Sequence, residues 1–179
     1  FATIQAGIDA ASEGDTVLVN PGNYTESINF NGKNLNLISL AITTGDHSYI
    51  EETIINAGTP DYGYSQCVVY FYDPDQGIGV DSSTKLAGFT ISNSYYGIYC
   101  TNYDSPILEH LIVTNNTYGI VINRYASLDN SLIVNNVYGL YLSYAYEDIV
   151  LFSNLIFDDN SSNAIKSDES NAIFRKSVF

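Results

Sequence analysis

The sequence predicts an all-β chain, a solenoid of stacked coils with a helix over its first end. Three observations carry this prediction. A repeat of about 22 residues runs through the second half, apolar residues alternate with period two inside each repeat, and one short amphipathic segment precedes the repeats.

The repeat is read by aligning LAGFTISNSYYGIYC from Leu86, LEHLIVTNNTYGIVI from Leu108, LDNSLIVNNVYGLYL from Leu128 and FSNLIFDDNSSNAIK from Phe152, with FRKSVF from Phe174 opening a fifth copy. The first residues are spaced by 22, 20, 24 and 22. One column holds Leu86, Leu108, Leu128, Phe152 and Phe174. Three residues on come Phe89, Leu111, Ser131, Leu155 and Ser177, and two further Ile91, Val113, Ile133, Phe157 and Phe179. A second strand carries Ile98, Ile120, Leu140 and Ile165, then Cys100, Ile122, Leu142 and Ser167. Period two places these columns on strands with one face inward. Each coil is thus expected to hold two short apolar strands, a polar corner and a variable loop.

Such a unit cannot bury its apolar face alone, so stacked copies must bury it for one another. The polar column Asn93, Asn115, Asn135 and Asp159 is expected to form a buried ladder of amides bonded from coil to coil. On that expectation Asn115, which heads one of three glycosylation sequons with Asn23 and Asn160, carries no glycan. Gly97, Gly119 and Gly139, with Ala164 in the next copy, are expected at a sharp corner. The column Thr90, Ile112, Leu132, Ile156 and Val178 faces outward on the alternation, because the opposite phase would bury Gly88, His110, Asn130, Asn154 and Lys176. This outward apolar strip is expected to be covered by the irregular 41–66 segment, by a missing C-terminal part, or by a second copy.

Before the repeats, Ile4, Ile8 and Ala11 fall at helical spacing, with Thr3 as N-cap and Gly14 as stop. A strand over Thr16 to Val19 and an Asn20-Pro21-Gly22 turn follow. The helix reads as a cap over the open end of the stack. The expected organisation is one domain: 1–40 as cap and first coil, 41–85 as irregular early coils, and 86–179 as regular coils, with a truncation at the C-terminus because Phe179 interrupts a copy.

FATIQAGIDAASEGDTVLVNPGNYTESI resembles the N-terminal cap and first coil of pectin-lyase-like proteins, and TIINA at 53–57 and LAGFTISNS at 86–94 resemble their later coils. The resemblance implies a right-handed parallel β-helix over nearly the whole chain. It implies no single activity, because that superfamily holds polysaccharide lyases, glycoside hydrolases, epimerases, tailspikes, adhesins and non-catalytic surface proteins.

Composition narrows the partners. Lys and Arg total 6 against 20 Asp and Glu, a formal charge of -14, which repels nucleic-acid phosphates and anionic lipid heads. No apolar run reaches the roughly 20 residues of a membrane span. That acidic surface fits an extracellular or cell-surface protein, or one that holds cations, while abundant Tyr and Asn with scarce Lys suits strands and turns better than exposed helices. Cys67 and Cys100 are either bridged or two buried thiols.

The candidate catalytic residues are Asp158 and Asp159, adjacent carboxylates that need a third acid nearby, together with Arg124 and His110. Against each stands a simpler role: Asp159 in the polar column, the others as solvated or outward side chains. Asp73, Asp75 and Asp81 flank Gly77 and Gly79 and could supply oxygen ligands to Ca²⁺, although the full loop series of known calcium hands is missing. Tyr96, Tyr118 and Tyr138 precede the glycine column, and Tyr99 and Tyr141 lie outward with Val121 between them. In register these form aromatic ladders suited to sugar rings, or stacked among themselves.

Three functions compete. The reading the residues favour is a non-catalytic extracellular module contacting carbohydrate. The alternatives are a polysaccharide lyase or glycoside hydrolase, and a structural subunit that associates with itself through Ile112, Leu132 and Ile156 or through its open C-terminal end.

Overall fold

Strand pairing begins directly after a short helix. The computed structural model describes residues 1–57, 67–73, 75, 77–101, 103–123, 125–143, 149–168 and 171–179. Helix α1 (Ile4–Ala10) has Thr3 as its N-cap, whose hydroxyl accepts the Ala6 N–H. The Glu26 carboxylate accepts the Ile4 and Gln5 N–H groups, and the Lys33 ammonium donates to the carbonyls of Ile8, Asp9 and Ala11. Both ends of the helix are therefore satisfied by charges of the sign its dipole favours. The helix stops at Ala11; Gly14 lies beyond it in a left-handed turn into the first strand and is not its cap.

Each coil has three sides rather than the two strands expected. The first coil is β1 (Thr16–Val19), β2 (Gly22–Thr25) and β3 (Ile28–Asn29). The second is β4 (Asn36–Ser39), an insertion of α2 (Leu40–Thr44) and α3 (Ser48–Glu52), then β5 (Thr53–Asn56) and β6 (Cys67–Tyr70). The third holds β7 (Lys85–Ala87), β8 (Thr90–Ser92) and β9 (Tyr96–Cys100), and the fourth β10 (Ile107–Glu109), β11 (Ile112–Thr114) and β12 (Tyr118–Ile122). In the fifth, β13 (Ser127–Val134) spans the first two sides and β14 (Tyr138–Ser143) makes the third; β15 (Ile149–Asp158) and β16 (Asn163–Asp168) repeat that arrangement, and β17 (Asn171–Arg175) begins another coil.

The missing side is explained by one residue per coil. Gly88, His110, Asn130, Asn154 and Lys176 all adopt left-handed backbone, with φ between 47° and 87°. This residue bends the first apolar run into two sides and accounts for the three-residue step between inward Leu108 and Leu111. The corner is glycine at position 88 because a Cβ there would stand 2.3 Å from the Ser39 hydroxyl oxygen, beside the insertion.

The columns pair in parallel and in the predicted register. Leu86, Leu108, Leu128, Phe152 and Phe174 align, as do Ile98, Ile120, Leu140 and Ile165. Leu111, Val113, Ile120 and Ile122 of the fourth coil are at most 1% exposed. The fold is a right-handed parallel β-helix with the core inside its coils.

The polar ladder exists, but one residue later than expected. Asn93, Asn115, Asn135 and Asp159 are exposed, left-handed corner residues. Ser94, Asn116, Asn136 and Asn160 follow them and point inward. Short polar side chains tolerate the left-handed conformation, so the corner takes the first Asn and leaves the second to the ladder. The argument against a glycan on Asn115 falls with this shift.

The glycines are also needed for another reason. Gly97, Gly119 and Gly139 lie inside β9, β12 and β14 without positive φ. A Cβ on each would stand 2.5 Å from the carbonyl oxygen of the next coil and 2.9–3.2 Å from the ladder amide beside it. Close approach, rather than a sharp turn, excludes larger side chains.

Candidate functional site

Two outward surfaces collect side chains able to bind something. The first covers the third side. Tyr96, Tyr118 and Tyr138 occupy one register column. Tyr96 and Tyr118 lie 5.4 Å apart between ring centroids, and Tyr118 and Tyr138 stack at 4.8 Å with 17° between planes. Much of these ring faces is therefore turned along the helix axis onto neighbouring rings, leaving edges and hydroxyls outward. Tyr99 meets Tyr96 edge-on at 5.1 Å, and Tyr141 leans on Tyr118 at 5.9 Å.

Lys166 closes this surface at the C-terminal side, with its ammonium 5.1 Å from the Tyr141 centroid and 5.5 Å from that of Tyr138. Both distances suit a cation–π contact. The Tyr141 hydroxyl donates to the Asp168 carboxylate, and that bond, with some burial, pushes the phenol up to about 12. The Asn123 amide donates to the Tyr99 hydroxyl at 3.4 Å. Tyr96, Tyr99, Tyr118, Val121, Asn123, Tyr141, Ser143 and Lys166 line a groove of about 270 Å³. Parallel register thus assembles all five predicted tyrosines and adds Lys166, Asn123 and Ser143, which the sequence reading had not singled out.

The second surface lies over the second side. The helical insertion covers the expected apolar strip in part. Ile50 is buried, its carbonyl accepts the Thr90 hydroxyl at 2.8 Å, and Thr90 is only 9% exposed. Ile112 and Leu132 are half-buried, whereas Ile156 is 50% and Val178 61% exposed. His47, ahead of α3, brings its ring to 5.1 Å from that of His110. That meeting depends on how the insertion folds back, and nothing in the repeat pattern announces it.

Among the described residues, the other candidates are not gathered. Asp158 ends β15 on an exposed position, and Asp159 is the exposed corner residue beside it. Arg124 lies outside the described residues. The Asp73 carboxylate accepts the Asp75 N–H within its own turn, and Asp81 accepts the N–H and hydroxyl of Ser83, which hold its carboxyl below the usual range. Among the described residues, no three carboxylate, imidazole or thiol groups meet closely enough to hold a metal ion.

Cys67 and Cys100 are free buried thiols. Cys67 pairs with Tyr96, four residues before Cys100 on β9, so roughly 13 Å of strand lies between the two positions and a bridge is out of reach. Asp104 is a fully buried carboxylate whose oxygens accept the N–H groups of Val80 and Thr101; burial pushes its carboxyl up. It ties two loops together at the core edge. Its local signal is the Thr101 turn that it closes.

The family model described as a right handed beta helix region matches residues 67–179. Among solved structures, the chain is similar to the pectate lyase Pel9A, with TM-score 0.66 and 17% identity over 96% of this chain and 46% of that one. It is also similar to a pectin methylesterase mutant in complex with a hexasaccharide, with TM-score 0.50 and 12% identity over 99% of this chain and 84% of that one. The chain spans less than half the length of the pectate lyase. At these identities the likeness is one of fold. Compared by sequence with curated proteins, the chain matches none. Among the described residues, no helix is long and apolar enough to cross a membrane.

Proposed function

The chain belongs to the right-handed β-helix family, and from that premise we propose that it is a non-catalytic extracellular or cell-surface module that contacts polysaccharide through the tyrosine face of its third side. The observation that carries this reading is the in-register array of Tyr96, Tyr118 and Tyr138, flanked by Tyr99, Tyr141 and Lys166. A solenoid repeats its side chains along its axis as a polysaccharide repeats its sugars. Tyrosine offers such a chain both apolar carbon and a hydroxyl, at low entropic cost. The two structural neighbours are a pectate lyase and a pectin methylesterase, which makes a polysaccharide partner a natural one to test.

The non-catalytic part rests on the scatter of the candidate groups among the described residues. Asp158 and Asp159 sit on an exposed corner, and His110 faces His47 on another side. Acid–base hydrolysis needs two carboxyl groups held across one bond.

Incubation with a polysaccharide panel tests both parts. Binding without new reducing ends or unsaturated uronides is expected, and Tyr118→Ala combined with Tyr138→Ala should weaken it at least tenfold. Turnover of any polysaccharide would make the protein an enzyme. Binding unaffected by the double substitution would move the contact elsewhere.

A further inference from the structure

The chain has two histidines in 179 residues, His47 and His110, and the fold brings their rings together. We propose that this pair binds one divalent transition-metal ion of the zinc or copper kind and so clamps the helical insertion onto the fourth coil. The site is independent of the tyrosine face, which lies on another side.

The separation of the rings carries the argument. Their centroids are 5.1 Å apart and their planes are inclined by 55°. An ion about 2.0–2.1 Å from an imidazole nitrogen lies roughly 3.2 Å from the ring centre, so two imidazoles at a tetrahedral angle have centres about 5.2 Å apart. Inclined rings can turn one nitrogen each toward a common point, which flat stacking forbids. Among the described residues, no hydrogen bond engages a ring nitrogen of either histidine.

The backbone on both sides is held without an ion. His110 is the left-handed corner of its coil, with φ 52°. Its N–H donates to the Asp129 carbonyl at 3.3 Å, and its carbonyl accepts the Gly88 N–H at 3.1 Å. His47 directly precedes α3, and its carbonyl accepts the Ile50 N–H at 3.1 Å. Ile50 is buried, and the Thr90 hydroxyl on its carbonyl pins the insertion to the coil beneath. Binding therefore orders two side chains rather than two segments of chain, which keeps its entropic cost low.

The surroundings suit a cation of this class. Both rings line a groove of about 470 Å³ that also holds Glu51, one helical turn beyond His47. Glu109, beside His110, is engaged by Lys85 at 2.9 Å, and the chain as a whole carries -14. Imidazole suits Zn²⁺ and Cu²⁺, whereas Ca²⁺ and Mg²⁺ take oxygen ligands. Among the described residues no third group completes a ligand set, so the remaining positions fall to water.

Calorimetric titration of the metal-free chain with zinc chloride tests the site, at about pH 7.5, where an ordinary imidazole is neutral. One ion per chain is expected, with a raised thermal midpoint. His110→Asn should weaken binding about tenfold or more and abolish that rise, because a chelate becomes a single ligand. The variant should keep the fold, since Asn130 and Asn154 hold the same left-handed corner in the next two coils. Should it lose its circular dichroism, His47→Gln reads the same loss from the insertion. Pulsed electron paramagnetic resonance of the chain loaded with Cu²⁺ should count two coordinated imidazoles, and one in either variant. Failure to bind both Zn²⁺ and Cu²⁺, or binding unchanged in both variants, overturns the site. So does a wild-type Cu²⁺ spectrum with fewer than two imidazoles. Calcium bound as tightly as zinc would place the ion on surface carboxylates and overturn it as well.

Discussion

Asn116 and Asn136, one coil apart, are joined twice: the Asn136 carboxamide oxygen accepts the Asn116 backbone N–H at 3.0 Å and its side-chain amide at 3.1 Å. Asn136 in turn donates to the carbonyls of Val113 and Val134 at 2.9 and 3.1 Å. Every polar atom of this 1%-exposed side chain has a partner.

Removing it should orphan groups on two coils. Asn136→Ala is expected to cost about 2–4 kcal/mol, because buried backbone donors and acceptors lose partners that water cannot replace. Asn135→Gly, at the exposed left-handed corner next door, should change stability by less than about 0.5 kcal/mol. Urea denaturation of both variants decides the assignment. A larger loss at position 135 would return the ladder to the column where the sequence first placed it.

The same shift sorts the sequons. Asn115 is exposed, while the Asn160 amide donates to the Ile133 carbonyl at 2.9 Å and its oxygen accepts from Asn136. Expressed through a eukaryotic secretory route, the folded protein should carry a glycan on Asn115 and none on Asn160. Peptide mass mapping before and after glycosidase treatment reads the two sites separately, and occupancy at Asn160 alone would contradict the ladder.

Gly119→Ala should be among the most damaging small substitutions. Its Cβ would stand 2.5 Å from the Gly139 carbonyl oxygen and 3.1 Å from the Asn136 amide carbon. Separating two coils to admit it is expected to cost more than about 2 kcal/mol. Ala164, at the matching place in the sixth coil, already has a Cβ, so Ala164→Gly should cost only about 0.5–1 kcal/mol. Equal thermal midpoints for the Gly119→Ala and wild-type proteins would refute the close-approach explanation.

Burial pushes the Cys67 thiol up to about 12 and the Cys100 thiol well above its ordinary range. An unfolded thiol ionises near about 8.5. Between those values the folded chain keeps protons that the unfolded chain has released, so stability falls as pH rises from about 9 towards 12. Tyr70 and Tyr141, both pushed up to about 12, add to the fall above the usual tyrosine range. Urea midpoints measured between pH 8 and 11 should drop for the wild type and drop less steeply for Cys67→Ala. In the same window neither thiol should react with an aromatic disulfide reagent until urea is added.

The sequence by itself determined the stack. The apolar columns through Leu108, Leu111, Val113 and Ile120 are a periodicity that only in-register parallel coils can bury, and the Thr3 cap and β1 are local signals. The tyrosine columns were legible for the same reason, since a fixed register turns spacing along the chain into contact between coils. Which of two successive asparagines turns inward was not legible, because one left-handed residue resets the side-chain phase and both residues are short and polar. The third side of the coil was hidden by the same bend at Gly88, His110 and Asn130. The tertiary structure alone decided what lies between distant segments: the insertion that buries Thr90 but leaves Ile156 bare, the rings of His47 and His110 brought together, and Asp104 sealed against Val80. These depend on how an irregular segment folds over a regular one, and no repeat encodes that.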